Sequence, residues 1–283
     1  MAGRTESAAE VAGKEKGHEE DLTKPPWGPK GRSTVLGATA FVAQVYLNLL
    51  NTTRVHNIGQ LYKHIYLRDK NQGLMTVSNH ISTVDDPSLF ASFLPFEFFV
   101  SEHEHQKNRW TMCAKEFCFS NKFLSDYFQN GKVLPIERGK GLDQPTMGIM
   151  TERLARGDWI HIFPEGKISR VQKLGSMKWG TAKILCEGGE TDPVVLPFYH
   201  KGLEKVMPIG SKIPRVGNKN TVVVGTPINF GELLQECKRK HRERKGNPKY
   251  EEEKKESYRQ IMGRIEESLK KLEKECEALH KNN

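Results

Sequence analysis

The chain has 283 residues, 36% of them hydrophobic and 28% charged, with a formal net charge of +9. That composition supports one sizeable core and excludes a collagen-like fibre, a short-period repeat array and a long uninterrupted apolar span. The cysteines Cys113, Cys118, Cys186, Cys237 and Cys276 are odd in number and scattered, which argues against a disulfide scaffold and fits a reducing or mixed compartment.

Residues 1–32 read as an irregular tail that mixes Glu, Lys, Gly and Ala without apolar period and breaks on Pro25-Pro26 and Pro29. Its acids, among them Glu6, Glu10, Glu15, Glu19 and Glu20, are foreign to a cleavable mitochondrial presequence. Residues 33–53 carry no charge, and Val35, Leu36, Phe41, Val42, Val45, Leu47, Leu49 and Leu50 crowd them. Thr39, Gln44, Asn48 and Asn51 offset much of that apolar gain. The expected element is a helix in the membrane interface or dipping into one leaflet, with a buried core helix as the alternative.

From residue 73 onward strand and helix alternate. Residues 73–78 read as a strand, with a helix opening at Asp86-Pro87. Residues 122–130 read as helix, 131–136 as strand, and 143–156 as a helix ended by Gly157. Strands follow over 159–163, 194–199 and 221–224, with a helix over 174–187 between the first two. This alternation predicts an α/β fold with a mixed, mostly parallel sheet flanked by helices, its domain spanning residues 54–230. Residues 231–283 turn highly charged. There Ile261, Ile265, Leu269, Leu272, Cys276 and Leu279 recur at spacings of three or four and predict an amphipathic helix whose stripe packs on the core. The basic run Lys238-Arg239-Lys240-His241-Arg242 lacks a recognition helix or stacking aromatics, so it reads as a solvated helix face and no nucleic-acid partner is expected. The basic excess lies mainly in the body of the chain, which suits an anionic membrane surface or a phosphate-bearing substrate, or serves solubility alone.

The sharpest feature is Ser78-Asn79-His80-Ile81-Ser82-Thr83-Val84-Asp85-Asp86-Pro87. Five residues along a helix separate side chains by about 140°, so His80 and Asp85 would not meet on one. With Asp86 as a cap and Pro87 at the first helical position, the segment instead reads as strand, turn and helix start. Such a turn folds Asp85 back onto His80, fixes the imidazole tautomer and leaves the other nitrogen as a general base for a substrate hydroxyl. The alternative is a polar turn in which both side chains only cap backbone groups. Glu165, Gly166 and Lys167 follow a predicted strand at the sheet edge where ligands bind in open α/β folds. Arg138 sits at another strand end, suited to a phosphate oxygen, and Pro197 closes a fourth block. Phe90, Phe93, Leu94, Phe96, Phe98 and Phe99 line an acyl path or belong to the core. His103 and His105 are not taken as a metal site, and His161 and His200 lie beside the motifs as supporting or packed residues.

These four blocks, in this order and spacing, resemble the glycerolipid acyltransferase superfamily over about residues 50–230. Val55-His56-Asn57, the doubled acid before Pro87, Ile162-Phe163-Pro164-Glu165-Gly166-Lys167, Lys178-Trp179-Gly180 and Val223-Val224-Gly225-Thr226-Pro227 are similar to its phospholipid–lysophospholipid transacylase branch. The resemblance implies a glycerol-phosphate acyltransferase-like fold and acyl-CoA-independent remodelling of cardiolipin, with phosphatidylcholine and lysophospholipids as partners. It implies peripheral or monotopic attachment to a mitochondrial membrane, no cofactor and no metal. By the same resemblance His80 is the base and Asp85 its orienting partner, while Asn79, Ser82, Arg138, Glu165, Gly166, Lys167 and Pro197 form the substrate-binding set. Many superfamily members carry Thr-Arg after Pro-Glu-Gly; Lys167-Ile168 stands here instead, which favours a phosphodiester lipid over a phosphomonoester. Backbone groups near Ser82 or Gly166 are candidate oxyanion donors. An acyl-CoA-dependent lysophospholipid acyltransferase, a non-catalytic lipid-binding protein and a hydrolase are the competing readings, and oligomerisation stays open.

Overall fold

Strands form where β-branched and aromatic residues run together between turn-forming residues, and helices where the apolar period lengthens. The computed structural model describes residues 21–101, 104, 107–244 and 246–282. In chain order the elements are α1 (Gly28–Gln44, continued by a π-helical turn over Val45–Leu49), β1 (Thr52–His56), α2 (Ile58–Tyr66), β2 (Leu74–Ser78), α3 (Ser88–Phe93) and α4 (Glu97–Val100). Next come β3 (Thr111–Ala114), α5 (Lys115–Cys118), α6 (Lys122–Asn130), β4 (Val133–Ile136), α7 (Pro145–Ala155) and β5 (Trp159–Ile162). The chain closes with α8 (Gly180–Glu187), β6 (Val194–Lys201), α9 (Leu203–Val206), β7 (Lys219–Val224), α10 (Glu232–Arg244) and α11 (Pro248–Lys281).

The main sheet has the order β1-β7-β6-β2-β5. β2 runs parallel to both β5 and β6, β1 parallel to β7, and the β6–β7 pair is antiparallel. The parallel pair β3–β4 extends it, joined through a bridge from Trp110 to Ile160. The expected mixed, mostly parallel α/β sheet is therefore what forms. Strand alternation divides the core into two layers. Leu74, Trp159, Leu196, Phe198 and Val222 pack under α1 and α3 with Leu36, Ala40 and Phe90. Met75, Val77, Ile160, Ile162 and Val195 face the other way, onto α7, α8 and α11. The predicted C-terminal stripe fills that second layer: Ile261, Ile265 and Leu269 are buried there, while Leu272 and Cys276 cover Tyr199 and Val223. At the end of α7, Gly157 adopts φ +90°, and a Cβ on it would sit 2.0 Å from the Lys70 carbonyl oxygen, so only glycine lets the chain turn into β5.

Four features differ from the sequence reading. Most of the tail, residues 1–20, lies outside the described residues, but its end is ordered: α1 already starts at Gly28, and the amide of Gln129 on α6 donates to the Lys24 carbonyl (3.1 Å). Pro29 begins the helix rather than breaking the chain, because the first helical turn has no use for its missing N–H. Second, the polar residues of the uncharged segment are tied into the protein. Gln44 donates to the carbonyls of Ala91 and Leu94 (both 3.1 Å), Asn48 to that of Ser92 (2.6 Å), and Asn51 to that of Tyr46 (2.9 Å). The same segment buries Val35, Leu36, Ala40, Ala43 and Leu47 while exposing Phe41, Val42, Leu49 and Leu50. Third, Cys113–Cys118 and Cys186–Cys237 are disulfides, and Cys276 is free and buried. Parity and scatter along the chain say nothing about which elements lie side by side, and α8 packs against α10. Fourth, β1 and β3 were not read as strands, since each is short and β1 is half polar. On α10, Arg239 pairs with Glu236 and Glu243 and Arg244 with Glu253 at the surface, but Lys238, the first residue of the basic run, is buried, contrary to the solvated-face reading, and donates to the Thr191 carbonyl (2.9 Å).

Lys132, at the start of β4, is 3% exposed; its ammonium donates to the Asn108 carbonyl (2.9 Å) and lies 5.1 Å from the centre of the Trp110 ring. Burial, opposed by Asp158 and reinforced by Arg32, Arg153 and Arg109, brings its pKa down to about 7. Above that value the unfolded chain holds a proton that the folded one lacks, so stability rises with pH until the ordinary lysine range, by up to about 1.4 kcal/mol per pH unit. Lys132→Met should flatten that slope, which thermal unfolding at pH 7 and pH 9 would read.

Candidate active site

Ser78 ends β2 inside the sheet, and the chain leaves the carboxyl edge through residues 79–87. The His80 Nδ1 donates to Asp85 Oδ2 at 2.8 Å. The same oxygen accepts the N–H groups of Ile81 (2.7 Å) and Ser82 (2.9 Å), so the turn wraps around the carboxylate. This wrapping is how residues five apart meet. Because a carboxylate only accepts, the imidazole carries its proton on Nδ1 and presents a bare Nε2. The His80 side chain is 19% exposed, and Asp85 is buried. The ring stacks on Phe163 at 4.0 Å and 13°. Phe163 in turn meets the edge of His161 at 4.6 Å, and the Nδ1 of His161 is held by Thr76, 3.0 Å from its hydroxyl and 3.1 Å from its carbonyl. Burial pushes His161 well below the usual histidine range, so that ring stays neutral.

The expected capping role of Asp86 is not observed. Pro87 is the N-cap residue of α3, and Asp86 accepts from the buried Arg109, at 2.8 Å from Nε and with a second contact from Nη2. A buried carboxylate needs a buried cation, and here the pair ties the turn to the start of β3.

The residues expected to bind substrate separate into two groups. Asn79 is buried; its amide donates to the His200 carbonyl and accepts the His200 N–H, both at 2.9 Å, and its backbone carbonyl accepts the Ser78 hydroxyl at 3.1 Å. Ser82 is buried, its N–H taken by Asp85 and its hydroxyl donating to the Met207 carbonyl (3.0 Å). Glu165 is buried with both oxygens occupied, one by the His80 N–H (3.0 Å) and one by the Gly175 N–H (2.8 Å). Burial raises its pKa against the pull of those two bonds. Pro197 lies inside the sheet, paired with Val77, where its carbonyl accepts the Gly225 N–H. These four are buried, the first three with their polar groups bonded within and around the turn and Pro197 within the sheet. Gly166 (φ +64°) and Lys167 are exposed beside it. Arg138 is 49% exposed at the end of β4, and its described partners are Glu116 (3.6 Å) and the Phe117 ring, so the structure does not bring it into contact with His80. Of the backbone groups near Ser82 and Gly166, those two residues' own N–H groups are already used, the Ser82 N–H by Asp85 and the Gly166 N–H by the Phe163 carbonyl (3.0 Å). Phe90, Leu94, Phe98 and Phe99 are core, while Phe96 is exposed. His103 and His105 lie outside the described residues.

Phe163 and Arg109 were missed as site residues. A second acid directly after the histidine's partner was the available signal for Arg109, since two adjacent carboxylates at a buried turn require a cation. A cavity of about 440 Å³, lined by Asn57, Gln60, Gly225, Thr226, Ser268 and Lys271 among others, does not have His80 in its lining.

A histidine tethered through one nitrogen at the carboxyl edge of a sheet has its other nitrogen available to accept a proton. The model of the Acyltransferase family matches residues 52–201, from β1 through β6, and the chain belongs to that family. It is 33% identical over 248 residues to the protein named Tafazzin from Drosophila melanogaster, covering 87% of this chain and 62% of that one. It is 36% identical over 206 residues to N-acylphosphatidylethanolamine synthase from Arabidopsis thaliana (70% and 71% covered) and 35% over 222 residues to Taffazin from Dictyostelium discoideum (76% and 74%). Within the family it is thus a tafazzin-like glycerolipid acyltransferase, spanning about three fifths of the length of the Drosophila relative.

Proposed function

We propose that the protein is a phospholipid–lysophospholipid transacylase that remodels cardiolipin acyl chains without acyl-CoA, using His80 as general base. The observation that carries this is His80 tethered through Nδ1 to Asp85 at the carboxyl end of β2, with its ring partly exposed. Nε2 takes the proton from a lysolipid hydroxyl as its oxygen bonds to the ester carbonyl of a donor phospholipid. The tetrahedral intermediate then breaks its bond to the donor's glycerol oxygen, which takes the proton back from His80. One ester is exchanged for another, so no energised thioester is required. The mitochondrial placement rests on the resemblance to the transacylase branch.

The rim of this edge supports a lipid substrate delivered from a surface. The loop after β5 carries Lys167, Arg170, Lys173 and Lys178, with no acidic residue between Gly166 and Cys186. The loop before β7 carries Lys212 and Arg215 among the exposed Ile209, Ile213 and Val216, with no acidic residue between Lys205 and Gly231. The two loops bond to the catalytic turn, Ser169 N–H to the His80 carbonyl and Ser82 hydroxyl to the Met207 carbonyl. The second loop also joins the exposed end of the α1 segment through the Gly217 N–H and the Leu50 carbonyl (2.8 Å). Among the described residues no helix is long and apolar enough to cross a membrane. Apolar side chains framed by cations and attached to a protein core fit shallow docking on an anionic leaflet. Lys212→Ala with Arg215→Ala should weaken binding to vesicles containing anionic phospholipid by about 2 kcal/mol, roughly thirty-fold, and leave neutral vesicles unaffected in a co-sedimentation assay.

A second reading is favoured by the likeness to the Arabidopsis synthase, whose name describes an acyl acceptor amine. The deciding experiment incubates the pure protein with vesicles of labelled phosphatidylcholine, phosphatidylethanolamine and monolysocardiolipin, with no thioester present. Label in cardiolipin supports transacylation, and label on the ethanolamine nitrogen supports the second reading. Free fatty acid in excess indicates a hydrolase, transfer only on adding acyl-CoA indicates a thioester-dependent enzyme, and no turnover under either condition indicates a lipid-binding protein.

A further inference from the structure

We infer that His200 is a positioning residue for the reaction, one that holds the Asn79–His80 peptide in place so that the His80 ring is aimed correctly. This rests on the reading of His80 as the base. His200 lies on β6 and is 1% exposed. Its Nε2 is 3.0 Å from the Asn79 carbonyl oxygen. A carbonyl only accepts, so Nε2 carries the proton and Nδ1 is bare; among the described residues Nδ1 has no hydrogen-bond partner. Burial lowers the basicity of the ring, in keeping with that neutral form.

The bonded carbonyl belongs to the peptide that leads directly into His80. The N–H of the same peptide donates to Glu165 at 3.0 Å. The carbonyl end of this planar unit is held by His200 across the strands and by the Ser78 hydroxyl of the preceding residue (3.1 Å), and the N–H end by Glu165; His200 is the tie that anchors the carbonyl to β6 and resists the rotation that would swing the His80 ring off its stack on Phe163. The His200 backbone is held in turn by the Asn79 amide, which donates to its carbonyl and accepts its N–H, so side chain and main chain brace each other across the gap between β2 and β6. The Nε2–H also lies 3.8 Å from Asp85 Oδ2, placing the positive end of its dipole beside the carboxylate that orients His80. Misplacing a reacting group by about 1 Å costs on the order of a hundredfold in rate, so a brace of this kind has a measurable effect.

The test compares His200→Phe, His200→Asn and His200→Gln in the full chain, in the same vesicle assay, with His80→Ala beside them. Phenylalanine keeps the volume and loses the donor, asparagine is too short to reach the carbonyl, and glutamine places an amide N–H where Nε2 now lies. The expected result is a fall in kcat of about 10- to 100-fold for Phe and Asn, with the half-saturating lipid fraction and vesicle binding unchanged, and recovery of most of the rate in Gln. Equal losses in all three, no loss in any, or a loss that follows the folded fraction by circular dichroism would each overturn the inference. If His80→Ala loses its rate and the His200 variants do not, the brace alone is wrong; if His80→Ala keeps its rate, the base assignment fails and the brace with it.

Discussion

Replacing His80 with alanine is expected to lower acyl transfer by about two to four orders of magnitude, the usual contribution of a positioned general base. The fold should survive. Asp85 keeps its two backbone donors, Ile81 and Ser82, and the turn stays anchored by Glu165 and by the Ser169 N–H on the His80 carbonyl. The loss is confined to a partly exposed ring and its stack on Phe163, so thermal stability should change by no more than about 1 kcal/mol. Vesicle binding should be unchanged, because the cationic loops and the apolar patch are separate from the ring. Rates with labelled donor phospholipid, measured with the unfolding transition, separate these effects. Retention of more than a tenth of the wild-type rate would mean that another group moves the proton.

Asp85 should be the costlier position for stability and nearly as costly for rate. Asp85→Ala leaves the N–H groups of Ile81 and Ser82 and the Nδ1–H of His80 without their common acceptor, and the first two are buried. At about 1–3 kcal/mol per buried unsatisfied group, the turn should loosen and the protein lose several kcal/mol. Asp85→Asn isolates the chemistry. Its amide oxygen can take the place of Oδ2 and accept all three bonds, so the turn should form. The negative charge that stabilises the imidazolium during transfer is gone, however, and the amide nitrogen occupies the site of Oδ1, which has no hydrogen-bond partner among the described residues. A rate loss of about two to three orders of magnitude with a near-native unfolding transition is expected for Asn, against loss of both rate and stability for Ala. A fully active Asn variant would show that the carboxylate only shapes the turn.

How far each feature was legible depends on the distance over which it is decided. The His80–Asp85 contact, the strand–turn–helix spacing and the helix over residues 122–130 rest on neighbours within about ten positions, and they were readable. The uncharged segment of α1 was half legible: hydropathy saw the apolar stripe that packs under Phe90 and Leu196, and missed that Gln44 and Asn48 are bonded to carbonyls near residue 92. A hydropathy sum charges such side chains for desolvation without knowing their partners. The capping expectation for Asp86 failed for a related reason, since the competing partner, Arg109, is 23 positions away.

Residue order alone established an α/β acyltransferase pattern, a histidine with its acid, and a cationic body, because motif spacing, apolar period and charge are properties of the chain. Packing decided which of the motif residues are buried and which stay exposed. Glu165, Asn79 and Ser82 are consumed by bonds reaching 85, 121 and 125 positions along the sequence, leaving His80, Gly166 and Lys167 at the rim. A buried turn must satisfy its polar groups with whatever the sheet brings alongside, and that neighbourhood exists only once β2, β5 and β6 lie together.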